Sequence, residues 1–182
     1  FELTSIVHEE LVNSIKGGTI QMSMRPFGYT SYFGFDKWGY IGIGMSAANM
    51  AYEMAAYSRF ENIIFIGQDL AYGEGGSTHT EGHGIDESRL VEQYKATDIY
   101  VERYGGGGEV KSAPMWRMFL NFFERDITET PYPVNVINST EGGARIHGTK
   151  EIPFAEAVKL LDRSAPKKRI EISKESDEDI DA

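Results

Sequence analysis

Cysteine is absent from the 182 residues, so disulfides and thiolate-ligated metal sites are excluded. Long apolar runs are absent too, and none approaches the ~20 residues that a membrane-spanning helix requires. The start carries no signal-peptide pattern. A soluble, cytoplasmic protein is therefore expected. A basic stripe is also missing: the formal net charge is −10, which argues against nucleic acid as a partner. Half of that charge sits at the end, where residues 171–182 hold six acids and one lysine. This stretch reads as a solvated tail. The first residue is Phe1, which suggests a chain cut from something longer.

Hydrophobic residues make up 41% of the chain, enough for a packed core. Ala47, Met50, Ala51, Met54 and Ala55 recur at the spacing of an amphipathic helix, with Ser46 placed as its N-cap. Asn62-Ile63-Ile64-Phe65-Ile66-Gly67 is a short, β-branched apolar run closed by glycine, the pattern of a buried strand. Met115, Met118, Phe119 and Phe122 form a second helical stripe after Pro114. Phe154, Ala157, Val158 and Leu161 form a third after Pro153. Residues 19–24 and 133–137 are strand-like, and residues 5–15 read as helix. The segments 99–104 and 109–111 flank Gly105 to Gly108, which predicts a hairpin or a loop. No internal repeat is present. Alternating strands and helices predict an α/β domain with a mostly parallel sheet flanked by helices.

In open α/β sheets ligands bind beyond the carboxyl ends of the strands. Two polar segments follow strands here: Gly67-Gln68-Asp69-Leu70-Ala71-Tyr72, and residues 138–149, Asn-Ser-Thr-Glu-Gly-Gly-Ala-Arg-Ile-His-Gly-Thr. Parallel strands would bring both to one edge. Asp69 there could serve as a base, a metal ligand or an acceptor for a ribose hydroxyl, or could simply cap a loop. Glu141 precedes two glycines that allow close backbone approach to a ligand. A structural turn is the competing reading. His79 and His83 are spaced H-x3-H, but within glycine-rich sequence and without the glutamate of the zinc-protease pattern. No permanent zinc site is expected there. One histidine could instead donate to a phosphate or act as a base. Gly42-Ile43-Gly44-Met45-Ser46-Ala47 matches G-x-G-x-x-A before a helix, with Asp69 at the end of the next strand. The segment before it is a poor buried strand, so nicotinamide binding is disfavoured. The same glycines and helix start could hold another phosphate or carboxylate.

The stretch 62–72, the pairs Thr78-His79 and Gly82-His83, the block 138–149 and the pattern from Met45 to Ala56 together resemble the motility accessory factor family of flagellated bacteria. The resemblance spans roughly residues 20–162. It implies a Rossmann-like fold similar to bacterial sialyltransferases, with residues 1–163 as the C-terminal part of the catalytic domain and 164–182 as a linker or disordered acidic tail. The Gly-Pro-Ser-Leu type turn that opens the family's catalytic domain is missing from this sequence. The implied activity moves pseudaminic or legionaminic acid from a CMP-activated donor to Ser or Thr of flagellin, a step needed for flagellum assembly and motility. No cofactor or metal is expected.

Asp69, Glu141 and His79 are the candidate catalytic residues. Candidate donor contacts are Gly44, Ser46, Gly67, Gln68, Asn138, Ser139, Thr140, Gly142, Gly143 and His147. A related archaeal domain is a pterin diphosphokinase, which would make Asp69 a magnesium ligand and ATP the donor. A third reading is a non-catalytic flagellin-binding module. A partial sheet would expose an edge, which predicts self-association or lower stability than the parent protein has.

Overall fold

A computed structural model describes residues 1–4, 7–24, 32–34, 46–73, 99–162 and 164. The candidates Gly44, His79 and His83, and the tail beyond 164, lie outside the described residues. In chain order the elements are β1 (Glu2–Thr4), α1 (Glu9–Ser14), β2 (Gln21–Ser23), α2 (Ala47–Tyr57), β3 (Asn62–Phe65), β4 (Ile99–Glu102), β5 (Glu109–Ser112), α3 (Pro114–Glu129), β6 (Asn135–Asn138), β7 (Lys150–Glu151) and α4 (Phe154–Ala157). A short 3-10 turn, Val158–Leu160, follows α4.

Strands β3, β6 and β7 form a parallel sheet in that order, with Ile63 opposite Val136, Phe65 opposite Asn138 and Asn138 opposite Glu151. Strands β1 and β2 form a separate parallel pair. Strands β4 and β5 form an antiparallel hairpin around the glycine run, as the flanking sequence predicts. The chain is thus a mixed α/β protein with parallel pairing. Among the described residues no helix is long and apolar enough to cross a membrane.

The core lies where α2 and α3 cover β3 and β6. Phe123 and Ile137 are fully buried, and Tyr52, Phe65 and Phe123 pack ring to ring with centroids 5.0–6.5 Å apart. Burial of each such side chain stabilises by roughly 1.5–3 kcal/mol, with about 1 kcal/mol more per aromatic contact.

Both long helices turn a different face inward from the one their apolar stripes predict. On α2 the buried positions are Asn49, Tyr52, Glu53 and Ala56, while Ala47 and Ala51 are exposed. Partners explain the rotation. Asn49 Nδ2 donates to the carbonyl of Phe119, its Oδ1 accepts from Ser46 Oγ, and Tyr52 hydroxyl meets Thr130 Oγ1 at 2.9 Å. Polar tips that are satisfied can be buried with little cost, and Tyr52 brings more apolar area than any alanine. Ser46 does cap the helix, accepting from the Asn49 amide.

On α3 the buried residues are Leu120 and Phe123, one turn-face away from Met115, which is exposed. Phe122 is only half-buried and is covered by the Arg125 guanidinium, 4.6 Å from its ring centre. The third stripe shrinks to α4 and its 3-10 extension. Only Ala157 is buried, and Phe154 and Leu161 stay exposed. The predicted helix over 5–15 is the shorter α1, with Ser5 and Ile6 outside the described residues.

Candidate active site

Because β3 and β6 are parallel neighbours, the segments that follow them emerge at the same edge of the sheet. Asp69 and Glu141 therefore lie on one edge. Three contacts between the segments fix them together. Ser139 N donates to Phe65 O at 2.9 Å, Gln68 N to Thr140 Oγ1 at 3.1 Å, and Ala144 N to Asp69 O at 2.7 Å.

The hairpin secures both from the side. Segment 143–145 lies along β4: Arg103 bridges Ala144 antiparallel, Tyr104 N donates to Gly143 O, and Arg145 N donates to Glu102 O. Segment 70–72 lies along β5: Tyr72 N donates to Lys111 O and Ser112 Oγ to Leu70 O. Leu70 and Glu141 both adopt positive φ, at 47° and 62°. Outside glycine this conformation is uncommon and persists only where surrounding contacts hold it.

The candidates separate into those with structural duties and those without. The hydroxyl of Ser139 donates to Ile152 O, and Thr140 N donates to Asn138 Oδ1. Ser139, Thr140 and the Gln68 amide are thereby engaged within the fold. Glu141 Oε1 accepts from Phe154 N at 3.3 Å, at the start of α4. That contact gives the Glu141 carboxylate a structural partner. Asp69 is exposed, and among the described residues no hydrogen bond engages its carboxylate. Its main chain is nevertheless fixed through its carbonyl, so the carboxylate projects from a rigid support.

Asn138 is fully buried at the end of β6, and among the described residues its Nδ2 has no hydrogen-bond partner. A buried amide donor without a partner is costly. Gly67, at φ 67°, has open space where a side chain would stand. Gly142 is equally open, whereas Gly143 is packed against the Asp69 main chain. Ser46 is spent on capping α2. His147 is exposed, with Nε2 3.1 Å from Glu102 Oε2 and its amide donating to Glu124.

Several residues that sequence reasoning did not single out organise this edge. The Arg145 guanidinium grips Glu102 and Glu151, each at 2.7 Å. The hydrogen bond to Glu151 is the main reason its pKa is raised further, with Glu102 adding to it. Glu151 Oε2 also accepts from Gly105 N, which ties the hairpin tip to β7. Tyr104 hydroxyl points at the carbonyls of Asn138 and Ile152. Burial holds its pKa above the usual phenol value, and the nearby Glu151 and Glu141 carboxylates push it the same way. Arg145 stands inside the block 138–149, and Tyr104 directly precedes the glycine run, so both were visible as positions but not as partners. Among the described residues no group of three or more His, Asp or Glu gathers as a metal site.

The fold and this edge define an α/β protein with a rigid carboxylate and a buried amide donor at the carboxyl ends of parallel strands. Over residues 1–75 the chain matches a family model described as 6-hydroxymethylpterin diphosphokinase MptE-like, a transferase-type name. The matched stretch takes in Asp69 but neither the hairpin nor the segment after β6. No curated protein and no solved structure matches the chain.

Proposed function

We propose that this chain forms part of a transferase that takes a group from a nucleotide donor at the carboxyl edge of β3 and β6. Specifically, it transfers a nonulosonic acid, pseudaminic or legionaminic, from its CMP donor to flagellin Ser or Thr. The supporting observation is the fixed pairing of the two post-strand segments, which holds an exposed Asp69 at the same edge as Asn138, whose buried Nδ2 has no partner among the described residues. The resemblance to motility accessory factors in these same two segments supplies the chemistry.

In the transfer, the acceptor hydroxyl oxygen bonds to the anomeric carbon as the bond from that carbon to the CMP phosphate oxygen breaks. CMP leaves with the electron pair as a stable phosphate anion, and Asp69 takes the acceptor proton. The open backbone at Gly142 and the Asn138 side-chain amide suit the phosphate oxygens. Burial of Asn138 would make such a hydrogen bond stronger than one in water. The Rossmann-like, sialyltransferase-like architecture belongs to the same proposal, as does a cytoplasmic location.

A second reading is favoured by the family match itself. A diphosphate transfer from ATP would use Asp69 as a magnesium ligand, since magnesium is commonly held by one or two carboxylates together with substrate phosphates. Thermal-shift measurement of the full-length protein with CMP, and with ATP plus magnesium, separates the two. Stabilisation by CMP without metal supports sugar transfer. Stabilisation by ATP only with magnesium supports diphosphate transfer. Flagellin binding without any nucleotide effect would overturn both and leave a binding module.

A further inference from the structure

Tyr72 follows Asp69 by three residues, and that length of chain spans at most about 10 Å. Its main chain is fixed. Tyr72 N donates to Lys111 O, and the carbonyl of the nearby Leu70 accepts from Ser112 Oγ. Ala71 between them is buried, while Tyr72 is half-buried and reaches the surface. A second ring meets it there. Trp116, in the first turn of α3 and also half-buried, packs against Tyr72 with ring centroids 4.8 Å apart and planes inclined at 63°.

Three observations give this pair its chemistry. First, rings inclined at 63° form a corner and not a flat shelf, so a planar ligand ring can stack on one and turn its edge to the other. The Lys111 ammonium already stands over Tyr72, 5.5 Å from its centroid, which leaves Trp116 as the stacking face. Second, among the described residues no hydrogen bond engages the Tyr72 hydroxyl or the Trp116 indole N–H. The hydroxyl can both donate and accept, as the edge of a heteroaromatic ring requires. Third, the corner belongs to the same fixed segment as Asp69, at a separation that matches the nucleoside arm of a nucleotide-linked donor.

From these features we infer that the Tyr72–Trp116 corner is the base-binding subsite of the donor nucleotide, with the cytosine of CMP stacked on Trp116 and its edge met by the Tyr72 hydroxyl. The assignment rests on the nucleotide-transferase reading above. It adds the part of the donor that neither Asp69 nor the segment after β6 holds. Stacking is indifferent to charge and strong for a flat ring, so the corner supplies affinity, while the hydroxyl supplies preference among bases.

The test is calorimetric titration of the full-length protein with CMP and with ribose 5-phosphate, which lacks the base, together with tryptophan fluorescence. The parent should bind CMP more tightly, and CMP alone should quench emission. Trp116→Leu should weaken CMP by about tenfold or more, the size of one base stacked on one ring, and leave ribose 5-phosphate unchanged. Trp116→Phe keeps a ring and should retain most of the affinity while losing the quench. Tyr72→Phe keeps its ring and should weaken CMP about fivefold through the lost hydroxyl. Circular dichroism checks folding, and the two phenylalanine variants carry the test if Trp116→Leu does not fold. Equal affinity of the parent for CMP and ribose 5-phosphate, or a CMP quench that persists in Trp116→Phe, would overturn the subsite and leave the transferase reading standing. A folded parent that does not bind CMP would overturn the sugar-transfer reading and this subsite together.

Discussion

The main chain of Asp69 presses against Gly143 so closely that a side chain at 143 has no room. A Cβ there would stand 2.6 Å from Asp69 Cα and closer still to its carbonyl oxygen, and Gly143 has φ 70°. Glycine is needed at this position for both reasons.

Gly143→Ala should therefore destabilise the fold by roughly 2 kcal/mol or more, since both a backbone clash and a left-handed conformation are imposed. Gly142→Ala is the matched control, because its Cβ meets nothing within 4 Å and its φ is not positive. It should stay within about 0.5 kcal/mol of the parent. Urea denaturation of both variants measures the difference. Equal stabilities would mean that the two segments are not pinned as described.

Asp69→Asn keeps shape and removes basicity. If this carboxylate accepts the acceptor proton, transfer to flagellin should fall about 100-fold or more with the fold intact. Asn caps loops as well as Asp does, so a purely structural residue would tolerate the change. Mass spectrometry of flagellin, with circular dichroism for folding, reads the outcome. Near-normal glycosylation would remove Asp69 from the chemistry.

Tyr104→Phe deletes the hydroxyl aimed at Asn138 O and Ile152 O and should cost about 1 kcal/mol near neutral pH. The parent carries a further signature. Tyr104 and Tyr52 both have phenol pKa values raised mainly by burial. The unfolded chain therefore loses these protons first, near pH 10, and stability falls as pH rises from there through the folded values. In Tyr104→Phe this alkaline loss should be smaller. A slope identical to the parent's would show that Tyr104 does not contribute.

Arg145→Met should loosen the hairpin, because Glu102 and Glu151 lose the cation that joins them. Faster amide exchange is expected at Gly105, whose N–H is bound to Glu151, with little change in the helices. Unchanged exchange at Gly105 would show that backbone contacts alone hold the hairpin.

The strands were legible where an apolar run was bounded by turn residues, as for β3, β6 and the hairpin. Convergence of the two polar segments on one edge followed from their position after parallel strands. Strand β7 gave no signal: it has two residues, Lys150 and Glu151, and exists because β6 offers it an edge. The helices were found by period but turned to the wrong face. Hydrophobic spacing could not anticipate that Asn49 would bury its amide against Phe119, or that Tyr52 would carry the α2 contact. Arg145 shows the same limit at the site. Its role depends on Glu102 and Glu151 arriving from two other strands, and no local pattern encodes that meeting.

The hydrogen bond from Gln68 to Thr140 closes a span of 72 residues. Closing so long a loop is entropically slow, whereas α3 and the β4–β5 hairpin depend on near neighbours and can form early. The candidate edge is thus expected to assemble late in folding, when β3 finds β6 beside a hairpin that forms early. Substitutions that weaken the hairpin should slow the appearance of a nucleotide-competent state more than they slow the gain of helical signal.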